Sequence, residues 1–355
     1  MNTLEAIKFG SNLLKEKKIL SYILDSELLL SKTLNKSREK ILTNLDVEIE
    51  KKSFNIFKEY LIRRSKNEPI AYIFGEKEFW SKNFNVNKDT LVPRPETELL
   101  VDKLIKTFKD KKISILDIGT GSGCIIISLL GSLKQSVGTG VDISKKAIFM
   151  AKKNATRYKL DNRIKFFSKS FESIFDKKFD LIVSNPPYIE RKAIKNLSED
   201  IKKYEPRMAL DGGNDGLDLI KKVIYKSQDI LKINGTLALE IGNEQIKKVS
   251  KILTNNNFRI RNVIKDYKNN VRCLTAYKNK WITIIEEEIL DQDRKKVILE
   301  EEAWLHPLAV LIASTITAIW ILTEMDQWIT FIMLKRLCKN INNLQKTPKE
   351  METQY

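Results

Sequence analysis

The chain has 355 residues, with 63 Lys and Arg against 46 Asp and Glu; the +17 charge suits nucleic acid or another acidic partner, but the lysines are scattered and the Lys, Asn and Ile bias is what AT-rich coding produces. The lone histidine, His306, excludes a His-based triad or a His-rich metal site, and Cys124, Cys273 and Cys338 match no metal or disulfide spacing, so no metal is expected. The length allows two domains and an appendage, and an N-terminus without a secretory pattern joins the sparse cysteines in implying a reducing cytoplasm.

Residues 1–75 carry apolar positions at helical spacing: Leu4, Ile7 and Leu14, then Ile23, Leu24, Leu28 and Leu29, then 49–62, with Pro69 closing the pattern. This predicts a small all-α N-terminal domain. Without a catalytic motif it reads as a recognition module, with a purely structural cap as the alternative. Residues 76–92 alternate around Phe79, Trp80, Phe84 and Val86 and predict a short hairpin linker. Pro93-Arg94-Pro95-Glu96 then prepares a helix start. It either places Arg94 and Glu96 beside a cofactor or forms an ordinary capped turn.

Residues 93–280 are expected to form a second domain, in which strands and helices alternate from about 110 to 278. Strands are expected at 113–117, 137–142, 163–168, 179–184, 235–241, 258–264 and 271–277. The pattern predicts an α/β fold with a doubly wound, mostly parallel, seven-stranded Rossmann-like sheet, whose ligands bind beyond the carboxyl ends of the strands. Gly119-Thr120-Gly121-Ser122-Gly123 follows the first of these strands and opens a helix. The spacing is not that of pyrophosphate binders. It fits a ligand with a carboxylate and no diphosphate, which points to S-adenosylmethionine. Asp142 ends the next strand, where a ribose-binding carboxylate belongs; its other reading is a partner to a helix N-cap.

The most specific segment is Asn185-Pro186-Pro187-Tyr188, directly after the apolar run 179–183. It suits methylation of a planar nitrogen, whose lone pair is delocalised. The Asn185 side-chain oxygen and the Pro186 carbonyl are two acceptors for the two N–H hydrogens of an amide or aromatic amine. Two prolines fix the backbone in advance, and Tyr188 offers a ring face to the planar group. A strand-terminating turn is the plain alternative.

Residues 281–355 differ in character. Acidic clusters at 286–288 and 300–302 precede a run, 303–323, without Asp, Glu, Lys or Arg. That run has bilayer-spanning length, with Trp304 and Trp320 near its ends. It is read as a docked apolar helix or the remnant of a longer reading frame ahead of a membrane contact. The polar tail is expected to be disordered.

Taken together, residues 1 to about 278 resemble the peptide chain release factor glutamine methyltransferases. The marks are Leu91-Val-Pro-Arg-Pro-Glu-Thr-Glu98, Leu116-Asp-Ile-Gly-Thr-Gly-Ser-Gly123, Val141-Asp-Ile-Ser144, Asn185-Pro-Pro-Tyr188, Glu205-Pro-Arg-Met-Ala-Leu-Asp-Gly-Gly213 and Glu240-Ile-Gly242. The resemblance implies methyl transfer from S-adenosylmethionine to the glutamine amide in the Gly-Gly-Gln tripeptide of class I release factors, with no direct nucleic-acid contact required. It implies cofactor binding by Gly119, Thr120, Gly121, Ser122, Gly123, Asp142, Phe171 and Asn185. Asn185, Pro186, Pro187 and Tyr188 would hold the glutamine, with Asn185, Pro186 and Tyr188 acting in catalysis. The helical domain would grip the factor.

Two positions depart from the family pattern. Asn269 stands where the late Asp-x-x-Gly-x-x-Arg element has glycine, in Asp266-Tyr-Lys-Asn269-Asn-Val-Arg272; Asn is the next residue able to adopt a left-handed backbone. The extension is too short for the tRNA guanine methyltransferase that some relatives fuse at this end. The rival readings are a nucleic-acid adenine methyltransferase, using the same loop on an exocyclic amine, and a membrane-tethered binding protein with a relict fold.

Overall fold

The computed structural model describes residues 1–175 and 177–278, so the predictions for 281–355, including the apolar run at 303–323, lie outside the described residues. The described residues belong to one compact unit that begins at Met1. Among the described residues no helix is long and apolar enough to cross a membrane.

Five helices form the N-terminal part: α1 (Thr3–Glu16), α2 (Tyr22–Leu34), α3 (Arg38–Leu42), α4 (Lys51–Ser65) and α5 (Ile70–Phe74). A capping box starts α1, with Asn2 and Glu5 each satisfying the other's backbone N–H. Ala6, Leu14, Leu29, Leu30, Phe57 and Leu61 are fully buried between the helices. Each large side chain contributes about 1.5–3 kcal/mol by leaving water. Close approach depends on Gly10, where a Cβ would strike Ser26 and Phe57.

The hairpin of β1 (Glu76–Phe79) and β2 (Lys82–Asn85) turns through Trp80 and Ser81, both at φ +52. That is the primed turn that matches strand twist, built here without glycine. Helix α6 (Pro95–Phe108) follows, with proline in its first turn where the missing N–H costs nothing.

The sheet then alternates with helices: β3 (Ser114–Ile118), α7 (Cys124–Ser132), β4 (Val137–Asp142), α8 (Lys145–Arg157), β5 (Ile164–Ser168) and β6 (Phe179–Ser184). After β6 come α9 (Glu199–Tyr204), α10 (Asp218–Ile230), β7 (Leu231–Glu240), α11 (Ile246–Asn255), β8 (Phe258–Lys265) and β9 (Val271–Lys278). The strand order is β5-β4-β3-β6-β7-β9-β8, with β3 to β7 parallel and β9 antiparallel to both its neighbours. All seven expected strands lie in this one sheet. Strand β7 starts earlier than 235, because Asn234-Gly235 reads as a turn in sequence yet is absorbed as an irregularity. Asn234 takes φ +59 while Leu231 still pairs with Phe179.

Side chains alternate across the sheet with the period-two geometry of strands. Ile115, Leu181 and Val183 join a core with α6 and α7, while Leu116, Ile118 and Ile182 join one with α10 and α11. The strand order reverses between β3 and β6. Chain direction from there opens a crevice at the carboxyl ends, where Gly119, Asp142, Asn185 and Glu240 all fall.

Candidate active site

Three left-handed glycines make the turn out of β3: Gly119, Gly121 and Gly123, at φ +71, +55 and +80. The amides of Gly119 and Thr120 both donate to the Val141 carbonyl, which fastens the loop to the end of β4. The loop then presents two kinds of residue. Gly119 and Gly121 line a cavity of about 340 Å³. A Cβ on Gly119 would meet nothing within 4 Å, so the bare backbone leaves room for a ligand against it. Thr120, Ser122 and Gly123 are buried behind this wall. Thr120 Oγ1 donates to Asp117 Oδ2 at 2.7 Å, and the Ser122 carbonyl accepts from Asn154 Nδ2 at 2.8 Å. Gly123 starts α7, in a spot where a Cβ would press on Ile127 and Ala151.

Asp142 lines the same cavity and is held rigidly. Its Oδ2 accepts from the Gly121 amide at 3.0 Å and its Oδ1 from the Ser144 amide at 2.9 Å. Asp142 thus supports the turn into α8, where Ser144 is the N-cap, and it also faces the cavity. Burial raises its pKa, and those amides pull it back. Phe171 is buried and lines the cavity, as do Asn185 and Pro186.

The Asn-Pro-Pro-Tyr segment leaves β6 at Ser184, whose Oγ donates to the Ile118 carbonyl at 2.8 Å and locks the two strand ends together. Asn185, Pro186 and Pro187 line the large cavity and also a second one, of about 160 Å³, which Tyr188 and Arg94 border as well. The tripeptide is thus a wall shared by two cavities. Behind it, Asn185 Nδ2 donates to Thr97 Oγ1 at 3.3 Å, Thr97 Oγ1 to Glu240 Oε2 at 2.6 Å, and the Tyr188 hydroxyl to Glu240 Oε1 at 3.3 Å. Neither Asn185 Oδ1 nor the Pro186 carbonyl accepts a hydrogen bond from another described residue. The backbone beyond is braced by Gln245 Nε2, which donates to the Tyr188 and Gly216 carbonyls. Gly212 packs so closely that a Cβ would meet the Pro187 and Gly216 carbonyl oxygens at 2.9 Å.

Electrostatics sort these groups. Burial raises Glu240 to about 7, and the Thr97 and Tyr188 hydroxyls oppose the shift. Burial raises Asp117 to about 7 as well, and its Oδ1 has no hydrogen-bond partner. The Tyr188 hydroxyl is pushed up by burial and then by Glu240, so it stays protonated. Arg94 pairs with both Glu205 oxygens, at 2.7 and 2.9 Å, closing the second cavity's rim. Glu96 lines neither cavity.

In the sequence Thr97, Asp117, Glu205 and Glu240 stand only as parts of the family marks, with no site role of their own. The available signal was an acidic residue closing an apolar strand, as in Ile115-Leu116-Asp117 and Leu237-Ala238-Leu239-Glu240. Such a residue is costly to bury without a purpose.

Comparison with known proteins now decides the family. The PrmC N-terminal domain model matches residues 5–75, and the methyltransferase small domain model matches residues 95–213. The chain is 39% identical over 269 residues to the release factor glutamine methyltransferase of Fusobacterium nucleatum, covering 75% of this chain and 76% of that one. The chain belongs to the release factor glutamine methyltransferase family. A second member, from Caulobacter vibrioides, is 37% identical over 206 residues, 58% of this chain and 71% of its own. A bifunctional methyltransferase of Rickettsia felis is 33% identical over 338 residues, 84% of this chain and 64% of its own. Among solved structures, the ribosomal protein L11 methylase of Lactobacillus delbrueckii subsp. bulgaricus is similar with a TM-score of 0.40 at 21% identity, covering 52% of this chain and 80% of that one.

As a member of this family the chain is a methyltransferase whose methyl donor is S-adenosylmethionine. The residues present fit that cofactor. The bare backbone at Gly119 and Gly121 leaves ligand-sized space, Asp142 offers carboxylate lone pairs at its edge, and Phe171 gives an apolar face.

Proposed function

We propose that the protein methylates the side-chain amide nitrogen of the glutamine in the Gly-Gly-Gln tripeptide of class I peptide chain release factors. The observation that carries this reading is the shared wall of Asn185, Pro186 and Pro187 between two cavities, with two acceptors left unclaimed on it. One cavity has the size and lining for the cofactor, and the other accepts a side chain of modest volume.

S-adenosylmethionine supplies an electrophilic methyl group when bound, and Gly119, Gly121, Asp142 and Phe171 are the residues that would hold it. The protein's own contribution is orientation. Asn185 Oδ1 and the Pro186 carbonyl each take one N–H of the glutamine amide, which fixes the plane of the group and the direction of the nitrogen lone pair. The proline pair holds that carbonyl in place before substrate arrives. Tyr188 stays protonated and supplies a ring face, so the site offers no strong base. None is needed, because an amide nitrogen that has become cationic releases its proton readily to water. The helices of residues 1–75 are read as the grip on the folded factor. A reducing cytoplasm as the place of action follows the sparse, widely spaced cysteines of the sequence.

The deciding experiment is labelled methyl transfer to a purified release factor and to its Gln→Ala variant. Label is expected in the first and absent from the second. Asn185→Ala is expected to lower kcat by about 100-fold or more while cofactor affinity stays nearly unchanged. Label in DNA or RNA, with a steep salt dependence and none on the factor, would establish adenine methylation instead.

A further inference from the structure

We infer that Glu240, acting through Thr97, is a positioning residue that sets which end of the Asn185 amide faces the substrate. The proposal rests on the glutamine reading only for what the amide then grips.

An amide has almost the same shape with its oxygen and nitrogen exchanged, so packing alone does not choose between the two orientations. Hydrogen-bond direction does. A carboxylate only accepts, and a hydroxyl has a single hydrogen to give. The 2.6 Å bond commits the Thr97 hydrogen to Glu240 Oε2. Thr97 Oγ1 is then left as an acceptor, and the group that meets it must be the Asn185 NH₂, at 3.3 Å. Asn185 Oδ1 is thereby turned away from Thr97 and stays free of any bond to another described residue. The direction of the whole chain originates in the ionised carboxylate at its end.

The fold fixes all three members. Ser184 pairs with Leu239, so the next residue on each strand brings Asn185 and Glu240 side by side. Thr97 sits in the first turn of α6, behind the proline that starts that helix. Thr97 is 2% exposed and Glu240 1%, so water does not compete for these bonds. An apolar residue at 240 would cost the fold less than an isolated ionisable group, which points to a purpose for the carboxylate beyond packing.

The arrangement has a built-in sensitivity. Burial puts Glu240 near 7. Thr97 and Tyr188 face it with hydroxyls, Glu96 raises it and Arg272 lowers it, and the thiols of Cys124 and Cys273 feel its charge. Once protonated, Glu240 becomes a donor. The Thr97 hydrogen is released to point at Asn185, and the amide loses its imposed direction.

The test uses the full chain and three variants: Thr97→Val, Thr97→Ser and Glu240→Gln. Thr97→Val and Glu240→Gln are expected to lower kcat by roughly 10–100-fold with the cofactor KM within about threefold, and Thr97→Ser, which keeps the hydroxyl, to restore most of the rate. Wild-type kcat should fall as pH drops through about 7, and this limb should vanish in Glu240→Gln. A second readout needs no substrate. The Asn185 side-chain NH₂ resonances, assigned by their loss in Asn185→Ala, should shift upfield when Thr97→Val removes their acceptor. They should titrate with pH in the wild type but not in Glu240→Gln. Unchanged Asn185 resonances in Thr97→Val would overturn the inference. So would equal kcat for Thr97→Val and Thr97→Ser. If Glu240→Gln does not fold, the Thr97 pair decides alone. An enzyme inert toward release factor defeats the substrate reading, and the resonance experiment still decides this one.

Discussion

Glu240 ties the pH dependence of stability to the site. Its carboxyl sits near 7 in the folded chain against 4.5 when free. The unfolded chain therefore ionises first as pH rises. The stability associated with Glu240 is fully present below 4.5 and is lost as pH climbs through about 7. Asp117, raised by burial from 3.8 to about 7, adds a slope of the same sign. Glu240→Gln is expected to be more stable than wild type by roughly 1–3 kcal/mol at about pH 8 and nearly equal to it at about pH 4. Thermal melts at the two pH values check this; a gap that does not widen with pH would contradict it. Asp142 lines the large cavity. Asp142→Ala should weaken S-adenosylmethionine binding by roughly 1–3 kcal/mol in titration calorimetry. Unchanged affinity would leave Asp142 with its turn-bracing bonds alone. Asn185 to Tyr188 and the glycine loop were legible because each carries its chemistry within a few consecutive residues. The Thr97 and Glu240 partnership was not, because their bond joins residues 143 apart and no local pattern reports it.

At the scale of elements, the glycine loop is held by a side chain on another helix. Asn154 of α8 is fully buried; it accepts from the Asn85 amide at 2.8 Å and donates to the carbonyls of Asn85 and Ser122 at 3.0 and 2.8 Å. One amide thus joins the hairpin, α8 and the turn that lines the large cavity. Asn154→Ala would leave three backbone groups unpaired and should cost roughly 2–3 kcal/mol in urea unfolding, with a loss of cofactor affinity alongside. A stability change within about 0.5 kcal/mol would show that water replaces the side chain fully. Central strands such as β3 and β6 were readable because both sheet faces are covered there and the strands are apolar runs, while β8 alternates exposed residues with buried or half-buried ones. The start of β7 was not, because Asn234-Gly235 satisfies turn chemistry and strand pairing at once. Asn269 takes φ +64, the left-handed conformation anticipated for it in place of glycine.

Across the whole described chain, the helical part and the sheet are joined by more than a linker. Ala71 and Tyr72 of α5 pack with Val86 and Val92, and the Tyr72 hydroxyl donates to the Thr90 carbonyl at 2.6 Å. Tyr204 reaches back to the Lys66 carbonyl at 2.9 Å. A truncation meant to separate recognition from chemistry must therefore keep α5. Deleting residues 1–68 should raise KM for a folded release factor by about tenfold or more. It should change cofactor affinity and turnover of a short Gly-Gly-Gln peptide by about threefold at most. Equal losses for peptide and factor would make the helices a structural cap. This joint was hidden in the sequence, where Pro69 and the alternation from residue 76 read as a boundary although packing runs straight across it.

The wall of Asn185, Pro186 and Pro187 also has a consequence for inhibitor chemistry. Fragments bound in the two cavities would meet at the same three residues, so a short tether joining them would turn the second binding event into an intramolecular one. The large cavity offers features that any enzyme with this cofactor needs. Selectivity would come from the small one, whose border carries Arg94 and Tyr188. A tethered compound would thus draw its discrimination from the half of the site proposed to meet the substrate.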